Sequence, residues 1–193
     1  MNKKKIVFGI CGSFCNHRNV LNELYWLHQE YDITFVISES VSASSTRFFE
    51  RSAFRAELEK LSDHAIIDSI VESEKLGPMK AHDLMVIAPA SANTVSKLSM
   101  GIYDTSVTLA AKAMLRNERP VLIGISTNDF IGERGANLLR LSAAKHVFLM
   151  PMMQDDPLHK PRSVTSCWHL MKESIEAAAQ EKQLQPVFRE AAS

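Results

Sequence analysis

Short apolar runs alternate along this chain with longer stretches in which apolar positions recur at helical spacing. Residues 5–10 (KIVFGI), 33–37 (ITFVI), 84–87 (LMVI), 121–126 (VLIGIS, after Pro120) and 146–150 (HVFLM) are such runs. Their length and β-branched content predict strands buried on both faces, as in a parallel sheet. Between the first two, Val20, Leu21, Leu24 and Leu27 fall on one helical face. A helix is predicted over 47–61, with Ser45 or Thr46 as its cap, after a loop of small polar residues (SESVSASST). Residues 65–67 read as an edge strand and Leu76-Gly77-Pro78 as a turn. Further helices are expected after Pro89, over 105–116 and over 135–144. After a mixed loop at 152–162 a long one is expected over about 163–182, and then a frayed tail over 186–193. Strands alternating with helices at this spacing form βαβ units. The expected fold is α/β: a three-layer, doubly wound, Rossmann-like parallel sheet in one domain over 1–193, with neither repeats nor a linker.

Composition narrows the partners. Lys+Arg and Asp+Glu are equal at 22 each, so no basic field recruits nucleic acid or an acidic membrane. A small molecule or another protein is the expected partner. Cys11, Cys15 and Cys167 are an odd, scattered set: the first two lack redox spacing and a second pair for zinc, so no metal site is expected. Buried or half-buried free thiols imply a reducing compartment. The basic start Met1-Asn2-Lys3-Lys4-Lys5 leads into an apolar run that ends at Gly12, too short for a signal peptide, and no run reaches membrane-spanning length. A cytoplasmic protein is expected. Trp26 and Trp168 read as packing, and Met150, Met152 and Met153 as core filler.

The candidate chemistry sits where strands end. Gly12-Ser13, Ser38, Ser91-Asn93-Thr94 and Ser126 all fall at C-terminal strand ends, the edge at which open α/β sheets bind ligands. Gly9-Ile10-Cys11-Gly12-Ser13 is neither a dinucleotide fingerprint, since Cys11 and Phe14 occupy glycine places, nor a P-loop. A Gly-Ser turn with room for one phosphate suits a mononucleotide. For each member there is a plainer role: a strand-to-helix turn, a solvated serine, or helix caps at Ser91 and Thr94.

The hexapeptide Pro89-Ala90-Ser91-Ala92-Asn93-Thr94, followed by Lys97-Leu98 and Gly101-Ile102-x-Asp104, resembles the signature of the homo-oligomeric flavin-containing cysteine decarboxylases. The first-strand Gly-Ser and second-strand Ser match as well, over most of 5–150. The resemblance implies bound FMN, with Gly12, Ser13, Phe14 and Ser38 around its phosphate. Ser91, Ala92, Asn93, Thr94 and Ser126 would then lie along its ribityl chain and ring. Two departures argue against decarboxylation. The family's His, in an H-x-E-L stretch, is replaced by Lys75, with His82 misplaced beside Asp83. The P-A-M-N-x-x-M-W loop is replaced by Ile125-Ser126-Thr127-Asn128-Asp129-Phe130, which keeps only Asn128. Proton handling then has no obvious agent, and Asn128 and His159 are the remaining catalytic candidates.

The stretch Pro151-Met152-Met153-Gln154-Asp155-Asp156-Pro157-x-x-Lys160-Pro161-Arg162-Ser163, with Gly12 to Cys15, looks like one branch of that family, the dipicolinate synthase B subunits. That resemblance implies a partner, the synthase's A subunit, carrying NAD(P). It also implies a homo-oligomer, and oxidation of a dihydrodipicolinate-type precursor in the mother cell of a sporulating bacterium. Lys160 and Arg162 are cations suited to a dicarboxylate, although pairing with Asp155 and Asp156 is an equal alternative. Asp155, Asp156 and His159 can move protons or simply form a solvated turn. The rival readings are a phosphopantothenoylcysteine-type decarboxylase or flavin prenyltransferase, and a non-catalytic binding subunit.

Overall fold

A computed structural model describes residues 3–191. Its centre is a mostly parallel mixed sheet built on β1 (Lys4–Ile10), β2 (Tyr31–Ile37), β3 (Leu84–Ala90) and β4 (Val121–Thr127), in the order β2-β1-β3-β4. β3 and β4 are buried at every position, as strands covered on both faces must be. A cis peptide joins Ala88 to Pro89, and the β3–β4 register shifts between Ile87 and Ala90.

Helix α1 (His17–Glu30) covers one face, placing Val20, Leu21, Leu24 and Leu27 against Phe8, Phe35 and Val86. Behind it come the short α2 (Glu39–Ala43) and α3 (Arg51–Glu59). The other face carries α4 (Ile70–Glu74), α5 (Leu76–Met79), α6 (Ala92–Ser99), α7 (Ser106–Arg116) and α8 (Gly135–Ser142). The Ala-rich α7 lies closest, burying Val107, Ala110, Ala111 and Met114 against Val7, Met85 and Ile123.

Several local expectations are corrected. Part of the loop after Ser38 is α2, and the next helix begins at Arg51 rather than Arg47. The N-cap is Glu50 rather than Ser45 or Thr46, although Ser45 Oγ accepts the Arg51 N–H at 3.1 Å. The turn at Leu76-Gly77-Pro78 is the single-turn α5, and residues 65–67 make one parallel bridge, Val36 to Ile67.

The largest correction concerns the C-terminal third. Strand β5 (Val147–Leu149) pairs only with Val121 to Ile123 of β4, leaving the upper edge of β4 open. After β6 (Met152–Met153) the chain returns as β7 (Val164–Ser166), antiparallel to β4 with Ser126 opposite Thr165 and Thr127 opposite Val164. The helix predicted from residue 163 therefore starts only at Met171, as α9 (Met171–Ala178), after a 3₁₀ turn at Trp168–Leu170. The β-branched Val164 and Thr165 gain ladder partners and burial on an open edge, which outweighs the local helical pattern. The tail is not frayed as far as Arg189. Met152 N–H donates to Val187 O at 2.8 Å and Arg189 N–H to Met152 O at 2.9 Å, while residues 192 and 193 lie outside the described residues.

Trp168 is packed, as expected, against Met150 over Gly124. A Cβ built on Gly124 would lie 2.6 Å from Met150 Sδ and 3.1 Å from Trp168 Cζ3, so a side chain here would push the methionine aside and press on the indole. Trp26 is the opposite: it lies on the outer face of α1 and is 71% exposed. Met150 and Met152 are core; Met153 is half-buried. Cys11 and Cys167 are buried, but Cys15 is exposed. No helix among the described residues is long and apolar enough to cross a membrane.

Candidate functional site

The C-terminal ends of β1, β3 and β4 open onto a cleft of about 670 Å³. That lies within the range of small-molecule sites, roughly 300–1,000 Å³. Ser13 follows β1; Ser91, Ala92 and Asn93 follow β3; Ser126, Thr127, Asn128 and Asp129 close β4. Lys160 and Ser163 reach it from the loop before β7, and Arg134 from the irregular turn Phe130–Arg134.

Each hydroxyl has a defined role. Ser13 donates to Ser126 O at 2.8 Å, tying the β1 end to the β4 end. Ser91 caps α6, its Oγ accepting the Thr94 N–H at 3.3 Å and lying 3.0 Å from Thr94 Oγ1. The plain cap role is thus realised at Ser91, while the residue also lines the cleft. Thr94 is buried and turned toward Ser91 rather than the cleft. Asn93 and Asn128 are exposed on the rim.

Gly12 and Ser38 form a neighbouring spot, off the cleft wall. Ser38 Oγ lies 2.9 Å from Ser40 Oγ, and a Cβ on Gly12 would come within 3.0 Å of that same Ser40 Oγ. Glycine at position 12 therefore lets Ser40 of α2 pack closely over the end of β1. Phe14 is half-buried against the His17 ring, 5.1 Å between centroids, and does not line the cleft.

Of the cations expected there, Lys160 lines the cleft and Arg162 does not. The Arg162 carbonyl instead accepts the N–H groups of Phe130 and Ile131, at 2.8 and 3.1 Å, which stitches the two loops together. Arg134, missed in the sequence, is the second cation of the wall. Its Nη1 donates to Ser96 Oγ at 3.3 Å and its Nε lies 3.9 Å from Asp129 Oδ2. His159 is also outside the cleft, with its Nδ1 2.9 Å from Asp156 Oδ1, and is largely exposed. Among the described residues no histidine lines the cleft; its titratable groups are Asp129, Arg134 and Lys160. Lys75 is exposed between α4 and α5, and His82 is buried at the opposite end of the sheet beside Thr34.

Asn16 was also missed, because residues 16–19 read only as a polar break before the first helix. Its Nδ2 donates to Ser126 Oγ at 2.7 Å, while its Oδ1 accepts from Trp168 Nε1 at 3.0 Å and from Asn19 Nδ2 at 2.9 Å. Beneath the cleft, Cys11 is fully buried, and burial pushes its thiol up to about 11. Burial holds the His17 imidazole below its usual range, and its Nε2 lies 2.8 Å from Cys11 O. These two groups are neutral packing at ordinary pH.

Comparison with known proteins places this geometry in context. The Flavoprotein family model matches residues 1–176. The dipicolinate synthase B subunit of Bacillus subtilis (strain 168) is 42% identical over 188 residues, covering 97% of this chain and 94% of that protein. The crystal structure of the dipicolinate synthase B subunit from Bacillus halodurans C superposes with a TM-score of 0.90 at 37% identity, covering all of both chains. The FMN-dependent cysteine decarboxylase SpaF shares the fold, with a TM-score of 0.67 at 20% identity over 92% of this chain and 96% of that one. The chain belongs to the Flavoprotein family, in its branch of dipicolinate synthase B subunits.

Proposed function

We propose that the chain is the flavin-binding component of a two-component dipicolinate synthase, holding FMN and a small dicarboxylate at the C-terminal sheet edge. The observation that carries this reading is the convergence of Ser13, Ser91, Asn93, Ser126 and Asn128 on one cleft, with Arg134 and Lys160 on its wall. The residues fit an elongated ligand with a phosphate at one end: Gly12, Ser38 and Ser40 cluster at the β1–β2 ends, beside the wider cleft. When bound, FMN supplies two-electron redox chemistry. The chain's own residues bind and orient: hydroxyls and amides along the cofactor, and Arg134 and Lys160 toward carboxylates. NAD(P) sits on the synthase's A subunit in this reading, and the chain works as a cytoplasmic homo-oligomer.

One observation favours a second reading, a binding subunit whose partner does the redox chemistry: no histidine lines the cleft among the described residues. The visible spectrum of the purified protein tests the cofactor, and yellow protein with flavin bands is expected. Colourless protein that takes up no added FMN overturns the flavin assignment. Reconstitution with the A subunit then separates the two readings. Ser91→Ala together with Asn93→Ala lowers dicarboxylate formation if the cleft takes part, and leaves it unchanged if the chain only supports its partner.

A further inference from the structure

At the floor of the cleft an amide is held in one orientation, and this fixes which way a neighbouring hydroxyl can act. An indole N–H can only donate. Trp168 Nε1 lies 3.0 Å from one end of the Asn16 amide, so that end is the oxygen; the reversed amide would set two donors against each other. Asn19 can turn its own amide to present Nδ2 to that atom, 2.9 Å away. The Asn16 NH₂ must then face Ser126 Oγ, 2.7 Å away, and the serine oxygen accepts. With a lone pair of Ser126 so occupied, its O–H proton is free for another acceptor. Ser13 is the reverse case, since its own proton goes to Ser126 O.

Beside Ser126, but not on the cleft lining, stands a second hydroxyl. Thr165 stands directly opposite Ser126 on the β4–β7 ladder, so the two side chains share a face. Thr165 Oγ1 is buried, on a residue 8% exposed, and has no hydrogen-bond partner within the protein.

We propose that Ser126 donates its hydroxyl proton to an acceptor oxygen of the bound ligand, and that Asn16 and Trp168 are positioning residues that set this polarity. The inference rests on the functional reading above and deepens it. The acceptor is a carbonyl of the flavin ring or a carboxylate of the substrate. Both share the chemistry, and binding measurements on each ligand tell them apart.

The test compares Asn16→Asp, Ser126→Ala, the double variant and Trp168→Phe with the native chain. Binding of FMN is followed by flavin fluorescence and binding of dipicolinate by calorimetry. In Asn16→Asp the new carboxylate still accepts from Trp168 and Asn19, so the fold is kept. Toward Ser126, however, that carboxylate can only accept, and it draws the serine proton away from the cleft. Asn16→Asp and Ser126→Ala are each expected to weaken the same one of the two ligands by about tenfold or more. The double variant should be no weaker than Ser126→Ala alone, because both act on one hydrogen bond. In Trp168→Phe the amide can turn over, and an intermediate loss is expected.

A ligand-free readout accompanies these measurements. The slowly exchanging indole proton belongs to Trp168, since Trp26 is exposed, and it stays protected in Asn16→Asp. Native affinity in Asn16→Asp, or losses that add in the double variant, overturn the polarity argument and leave the functional reading standing. A native chain that binds neither ligand overturns both.

Discussion

Cys11 and His17 sit under the cleft in a region that favours neutral groups, and together they bound the pH range of the fold. Burial lowers the His17 pKa, and its ring stacks on Phe54 at 4.5 Å. His82 is lowered as well, first by burial and then by the nearby charge of His64. An unfolded histidine takes up its proton near pH 6.5, so below that pH the unfolded chain binds more protons than the native one and stability falls. At the other end Cys11 titrates at about 11 in the folded protein against an ordinary value of 9.0. The native state then holds the extra proton, and stability falls again as pH rises from 9 toward 11. Denaturant midpoints measured across pH are expected to form a plateau with both flanks falling. His17→Phe should lessen the acid flank, leaving the share of His82, and Cys11→Ala the alkaline one, leaving the shares of Cys167 and Tyr31; unchanged flanks would exclude these two groups as the cause. Neither behaviour was legible in the sequence, where His17 lay in a polar break and Cys11 in a glycine-rich turn. Burial decides both, and burial belongs to the tertiary structure.

Among elements, the N-termini of α6 and α7 separate ligand contact from plain capping. Thr105 and Thr108 form a reciprocal capping box: Thr105 Oγ1 accepts the Thr108 N–H at 3.2 Å and Thr108 Oγ1 the Thr105 N–H at 3.1 Å. Ser91 makes the same kind of cap on α6 but also faces the cleft. Thr105→Ala and Ser91→Ala are each expected to cost about 1 kcal/mol in denaturant unfolding. Only Ser91→Ala should also weaken FMN, by equilibrium titration; equal ligand affinity in both variants would reduce Ser91 to a cap. The strand ends were readable because the apolar runs are short and stop at small polar residues, which is why the serines of four strands could be placed on one edge. The return through β7 was not readable. Residues 163–170 carry helix-compatible spacing, and the strand exists only because β5 stops short and leaves part of β4 unpaired. Arg134 was hidden for a related reason, since nothing local shows that the turn at 130–134 folds back to the loop that carries Lys160.

At the scale of the whole molecule, the two loops of the cleft wall are one unit. Phe130 and Ile131 bond to Arg162 O, and Ser163 Oγ donates to Thr127 O at 3.2 Å. Arg134 and Lys160 therefore share a common support, although they lie far apart in sequence. The parallel sheet and its two helical layers followed from apolar strands alternating with amphipathic helices, whereas the strand order β2-β1-β3-β4 comes from the tertiary structure alone. The tail did not follow from it: a polar, proline-containing end gives no sign that Val187 and Arg189 will bond to Met152.

The forked pairing of β4, parallel to β5 below and antiparallel to β7 above, also has a kinetic side. Strand β7 has no template until β4 is itself seated between β3 and β5. Its ladder with β4 has only two pairs, Ser126 with Thr165 and Thr127 with Val164, and adds little until that seat exists. The wall of the cleft is thus expected to be the last part to fold and the first to open. Pulse-labelled hydrogen exchange during refolding should protect amides of β1 and β3 before those of β7. Thr165→Ala should mainly speed unfolding and leave the refolding rate nearly unchanged. Simultaneous protection of β7 and β3, or a slowed refolding limb in that variant, would put the wall inside the nucleus. With the wall formed after the nucleus, binding in the cleft acts mainly as a brake on unfolding, lengthening the lifetime of the native molecule with little effect on how fast it is made.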